Sequence, residues 1–271
     1  MDVLIFCGQS NMQGQSERLS ENQPVKDAWE YKYCSNKLLP LCNPVGEDIT
    51  YAGEKGFAFD FHQKGWDDEN AEKYFRWRKD MALGSACFGF TNLVPSFCRV
   101  YTKKTKRKVV AIHAAKGDTR IHQWQNGGGM YEIMLQKVLR GIENIGEEVD
   151  KIYFIWLQGE SDAFANVSKA EYLSNLFALK NSLKRDAKID RFGIIKVGPF
   201  AMDERDEQIR NAQEEACAKD KDFVMLTRIS SELLKNGYVN PYYHGHYSAE
   251  GLEKLGADAG ETLANLVKET E

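Results

Sequence analysis

Five short, mostly apolar runs constrain this chain more than any other feature: Val3–Cys7, Val109–His113, Ile152–Leu157, Phe192–Val197 and Phe223–Leu226. Each has the length of a strand and none shows the strict alternation of a strand with one wet face, so each reads as a strand buried on both faces. Between them apolar residues recur at helical spacing, as Met130, Ile133, Met134, Val138, Leu139 and Ile142, and as Tyr172, Leu173, Leu176, Phe177 and Leu183. Leu252, Leu255, Ala259, Leu263 and Leu266 repeat the pattern later in the chain. Strands alternating with helices predict a parallel sheet covered on both faces and joined by right-handed crossovers. The expected fold is α/β, a three-layer α/β/α sandwich around a five-stranded parallel sheet. Ligands of such sheets bind beyond the carboxyl ends of the strands, which is where reactive residues are to be sought.

Residues from about 22 to 83 interrupt this alternation. They are polar and rich in glycine and aromatics, including Tyr31, Tyr33, Tyr51, Phe57, Phe59, Trp66, Tyr74, Phe75 and Trp77. Without an internal repeat or a low-complexity linker, the stretch reads as a long insertion in a single domain spanning residues 1–271. For any one of these aromatics core packing is the stronger expectation, with stacking on a ring-shaped ligand the alternative.

A formal net charge of −4 gives no reason to expect nucleic acid or an anionic membrane as partner. The basic run Lys103–Lys108 reads as a solvated turn, with a small anion patch as the weaker alternative. No stretch reaches the ~18 consecutive apolar residues of a membrane span. The start, MDVLIFCGQS, has too short an apolar run and no basic residues for a signal peptide, although a leader removed upstream is compatible with it. Cys7, Cys34, Cys42, Cys87, Cys98 and Cys217 form no CxxC pair, and several lie in apolar runs. Reduced core cysteines in a cytoplasmic protein are the expectation.

Three motifs sit where strands end or helices begin. The first strand runs into Gly8-Gln9-Ser10-Asn11-Met12-Gln13-Gly14, where glycines permit the tight turn that exposes a nucleophile. Ser-Asn beside glycine is also a common turn or helix cap. The third strand ends in Gln158-Gly159-Glu160-Ser161-Asp162, whose carboxylates suit orienting a histidine or capping a helix. His244-Gly245-His246 precedes the last helix, and a histidine there can reach the sheet edge as a base. A metal site is the weaker reading of these two histidines, since no companion cluster completes a ligand set. His113 is expected in the core, and His62 and His122 on the surface or in loops.

Together, GQSNMQG at 8–14, QGESD at 158–162 and HYSAEG at 246–251 resemble the sialate O-acetylesterase and acetylxylan esterase family, a branch of the SGNH hydrolases. The block AKGDTRIHQW at 115–124 is similar to that family's segment after the second strand, and the stretch from Tyr33 to Gly46, with Asn43-Pro44-Val45-Gly46, to its early loop. The resemblance implies a flavodoxin-like SGNH fold that hydrolyses acetyl esters on sugars, of sialate or xylan type, through an acyl-enzyme, with no cofactor and no metal. Carried onto this sequence, it makes Ser10 the nucleophile and His246 the general base, with Glu160 orienting the histidine. The backbone amides of Ser10 and Gly117 and the side chain of Gln158 become oxyanion-hole donors. Gln9, Asn11, Asp118 and Asp162 are candidates for contacting the substrate.

Two positions depart from the pattern. Many SGNH hydrolases carry aspartate three residues before the catalytic histidine, where this chain has Tyr243. Glu160 must then supply the carboxylate, or the site works as a dyad. The paired glycines after the second strand read Gly117-Asp118 here. These departures keep two alternatives open: a weak or silent carbohydrate-binding protein, and an esterase for another small acyl ester.

Overall fold

The structure, a computed structural model, describes residues 1–17, 19, 21–33, 35–46, 91–240 and 245–270. In chain order the elements are β1 (Asp2–Gly8), α1 (Ser10–Gln13), β2 (Ala28–Lys32), β3 (Lys37–Pro40), α2 (Val94–Thr105), β4 (Val109–His113), a 3₁₀ turn (Ile121–Trp124), α3 (Gly129–Glu143), β5 (Lys151–Leu157), α4 (Glu160–Phe164), α5 (Lys169–Asp186), β6 (Arg191–Ile195), α6 (Glu204–Lys219), β7 (Phe223–Thr227), α7 (Ser230–Lys235) and α8 (Ala249–Thr270). The strands form one sheet in the order β3-β2-β4-β1-β5-β6-β7, parallel except for the β2–β3 pair. β1 lies between β4 and β5, so the ends of the first three predicted strands share one edge.

The sheet has seven strands rather than the expected five. The two additional ones come from the first part of the insertion. β2 escapes a search for apolar runs because Glu30, 2% exposed, is buried in it and paired with Lys32 Nζ at 2.7 Å. β3 is an edge strand, mostly exposed, so it needs no apolar residues on either face. Residues 47–83, with most of the insertion's aromatics, lie outside the described residues, as do Cys34 and Cys87. Tyr31 is fully buried. β6 also ends at Ile195 rather than Val197, where its register against β7 shifts.

Side chains alternate across β1 into two cores. Val3, Ile5 and Cys7 join the first, with Met134 and Val138 from α3, Leu176 and Leu179 from α5, and Ile209 from α6. Trp124 and Trp156 meet edge to face there, with ring centroids 5.8 Å apart. Leu4 and Phe6 join the second, with Phe97 and Tyr101 from α2 and Leu252, Leu255 and Leu263 from α8. A sheet covered on both faces by helices is the three-layer arrangement that the strand–helix alternation requires. α6 carries only a narrow buried stripe of Ile209, Ala212 and Ala216 with Asp206 and Gln213, so its charged sequence gives little apolar signal.

The amino-terminal edge of the sheet is clamped by charge. Arg107, from the basic run, grips buried Asp2 with Nε to Oδ2 at 2.7 Å and Nη2 to Oδ1 at 2.8 Å. Among the described residues no helix is long and apolar enough to cross a membrane. Cys7 and Cys98 are buried and unbridged.

Candidate active site

Ser10 is placed by a glycine turn. Gly8 ends β1 at φ +147°, and a Cβ there would lie 2.0 Å from the Leu157 carbonyl oxygen, so only glycine fits this approach of β1 to β5. Gln9 then staples the two strand ends. Its amide donates to the Leu157 carbonyl at 3.1 Å, and its Oε1 accepts from the Ser161 amide at 3.1 Å and Gln158 Nε2 at 3.2 Å. Ser10 opens α1, whose turn closes as the Gly14 amide donates to the Ser10 carbonyl at 3.0 Å. Beneath it, the Met12 carbonyl accepts from Asn92 Nδ2 at 2.7 Å and His113 Nε2 at 2.9 Å. His113 is thus a core residue, as expected, and it supports the turn that carries Ser10. The Ser10 hydroxyl has no hydrogen-bond partner among the described residues.

Gly117 comes from the loop after β4 to the side of Ser10. A Cβ on Gly117 would stand 3.5 Å from Ser10 Cβ. Its amide donates to Gln13 Oε1 at 2.8 Å. Sequence reasoning did not single out Gln13, although its spacing from Ser10 puts the two on one face of a helical turn. Asp118 is exposed, in the left-handed region at φ +57°.

The residues after β5 are committed inward. Gln158 is fully buried, and its Nε2 donates to the Thr119 carbonyl at 2.9 Å, to Gln9 Oε1 at 3.2 Å, and to Asp162. Three acceptors share its two amide hydrogens, so the structure presents no free donor on Gln158. Asp162 Oδ2 also accepts from the Ile121 amide at 3.0 Å, pinning the 3₁₀ turn to α4. Burial raises the Asp162 carboxyl to about 6, against these hydrogen bonds. Glu160, at the start of α4, accepts at Oε1 from Asn11 Nδ2 at 2.7 Å. Its Oε2 is buried without a hydrogen-bond partner among the described residues. Burial pushes the Glu160 carboxyl up to about 7, and the Asn11 hydrogen bond opposes the shift.

His246 is buried in the loop entering α8. The loop is held by the Val239–Tyr247 bridge and by the Asn240 amide, which donates to the His246 carbonyl at 2.8 Å. Asn11 grips it on both sides of the histidine: Nδ2 donates to the Gly245 carbonyl at 3.3 Å, and Oδ1 accepts from the Tyr247 amide at 3.1 Å. Among the described residues no hydrogen bond joins His246 to Glu160, the contact an orienting carboxylate would make; Asn11 holds its Oε1 instead. Tyr243 and His244 lie outside the described residues, and with them the position of the absent aspartate and the paired-histidine metal reading. His122 is exposed on the 3₁₀ turn, and His62 lies outside the described residues.

The fold has counterparts among solved structures, and the chain has a relative of known sequence. A relative of Arabidopsis thaliana, named a probable carbohydrate esterase, is 23% identical over 218 residues, covering 78% of this chain and 74% of its own length. Its 1.6 Å crystal structure matches with a TM-score of 0.67 at 16% identity, over 97% of this chain and 98% of that one. A structure titled a novel carbohydrate acetylesterase from Xanthomonas citri matches with a TM-score of 0.51 at 13% identity, over 97% of this chain and 57% of its own. The class, defined by a family model that matches nearly the whole chain, is that of hydrolases acting on the ester bonds of carbohydrates. Within it, this chain belongs to the family described as carbohydrate esterase, sialic acid-specific acetylesterase, whose model matches residues 1–265.

Proposed function

We propose that this carbohydrate esterase removes acetyl groups from sugars by SGNH-type serine catalysis. Ser10 Oγ attacks the acetyl carbonyl while His246 takes its proton, and the amides of Ser10 and Gly117 receive the negative oxygen. Collapse of that intermediate breaks the bond to the sugar oxygen, which leaves with the proton from His246. Water then attacks the acetyl-enzyme by the same route and releases acetate. Glu160 supplies the carboxylate of the site, and Asp118 meets sugar hydroxyls; its exposure beside Gly117 supports that role. No step calls on a cofactor or a metal.

The observation that carries this reading is the bracing of Asn11. The residue next to the nucleophile is hydrogen-bonded to the backbone immediately before and after the histidine, so two groups 236 positions apart are built into one unit. Acetate release from a panel of acetylated glycans, with acetylated sialate and xylan included, tests the proposal. Release by the native protein that Ser10→Ala abolishes is the expected result. Native protein that releases acetate from no glycan in the panel refutes it.

A further inference from the structure

We infer that Asn11 is a positioning residue that stands in for the direct carboxylate–imidazole contact, transmitting the fixed place of Glu160 to the His246 loop. The inference rests on the Ser10–His246 reading and reassigns Asn11 from substrate contact to internal brace. An asparagine amide has a donor end and an acceptor end, and here its surroundings choose between them. A backbone carbonyl accepts only and a backbone amide donates only, so Nδ2 faces Gly245 O and Oδ1 faces the Tyr247 amide. The second Nδ2 hydrogen falls to Glu160 Oε1 at 2.7 Å. Asn11 is 1% exposed, so bulk water does not compete for these bonds in the native protein. Because Asn11 follows Ser10 directly, one side chain sets where the base stands relative to the nucleophile.

The chemistry makes asparagine different from aspartate at this position. Aspartate is isosteric but has no hydrogen to give to Glu160 or to Gly245. It would set a second carboxylate against Glu160, in a pocket that Asp162 on α4, Asp206 on α6, Tyr172 on α5 and Tyr247 beside His246 already make negative or polar. Two carboxylate oxygens at that separation coexist only by sharing a proton. Burial has already raised Glu160 to about 7, so the pair surrenders that proton only at higher pH.

The test is kcat and KM for p-nitrophenyl acetate as functions of pH for Asn11→Asp and Asn11→Ala, normalised to folded protein by circular dichroism. Asn11→Ala is expected to lose kcat by about 10²-fold, the cost of a base misplaced by an ångström, with KM near that of the native enzyme. Residual kcat of Asn11→Asp is expected to fall as pH rises, on a limb that the native enzyme lacks. If Asn11→Asp does not fold, Asn11→Ser, which keeps a donor but cannot span all three partners, is expected to show an intermediate kcat. A folded Asn11→Ala with native kcat overturns the inference, as does an Asn11→Asp whose reduced activity keeps the native pH profile. Failure of the underlying reading shows elsewhere, as full activity in Ser10→Ala.

Discussion

The Gly117 amide donates to Gln13 Oε1 at 2.8 Å, so a carbonyl-type oxygen from the protein sits on the donor proposed for the substrate's oxyanion. The acyl oxygen has to displace it. Gln13→Ala should therefore lower KM for p-nitrophenyl acetate by about five-fold, the worth of one neutral hydrogen bond near 1 kcal/mol. Steady-state kinetics check it, and a raised KM would show that Gln13 is needed to hold the Gly117 loop.

Ser10 carries the covalent step of the proposed mechanism. Ser10→Ala should reduce kcat by about 10³-fold or more, and a fluorophosphonate probe should label Ser10 in the native protein. Mass spectrometry of the labelled peptide distinguishes this from labelling at Ser161, which would move the nucleophile to α4.

Glu160 makes stability depend on pH in a definite direction. Its carboxyl lies near 4.5 when free and about 7 when folded. Between those values the folded protein holds a proton that the unfolded chain releases, so stability falls as pH rises through that window and levels off above it. Glu160→Gln has no such loss. Its melting temperature should gain on the native protein between about pH 5 and about pH 8, while kcat drops by no more than the ~10²-fold expected of a misplaced base. Melting curves at several pH values, followed by circular dichroism, decide the first part.

Gly8 is irreplaceable for steric reasons. Gly8→Ala forces a Cβ to 2.0 Å from the Leu157 oxygen at a φ of +147°, with an expected cost of about 3–5 kcal/mol. In a chain of this size that lowers the melting temperature by about 10 °C. A calorimetric scan with an unshifted transition would contradict the placement of β1 against β5.

The proposed route asks nothing of a metal. Dialysis against EDTA should leave the rate on p-nitrophenyl acetate unchanged, whereas a loss restored by zinc would revive the reading of His244 and His246 as ligands.

Much of this molecule was legible because apolar periodicity and glycine turns are local. Val3–Cys7 and Ile152–Leu157 announced buried strands, and the motifs at residues 8–14 and 158–162 announced where those strands end. β2, with its buried Glu30, and α6, with its alanine stripe, were illegible for the complementary reason. Their burial follows from what packs against them, which no local pattern records.

The residue types at the carboxyl edge of the sheet can be read from the chain alone: a serine, a histidine, a glutamate and the glycines that let them approach. How they are connected follows from the packing of distant segments. Gln158 looked like a donor for substrate and is spent on Gln9, Thr119 and Asp162. Glu160 looked like the partner of His246 and is held by Asn11. A hydrogen bond goes to whichever partner the packing leaves within about 3 Å at the right angle. For residues 11, 160 and 246, that partner is fixed by the pairing of β1 with β5 and the docking of the loop before α8.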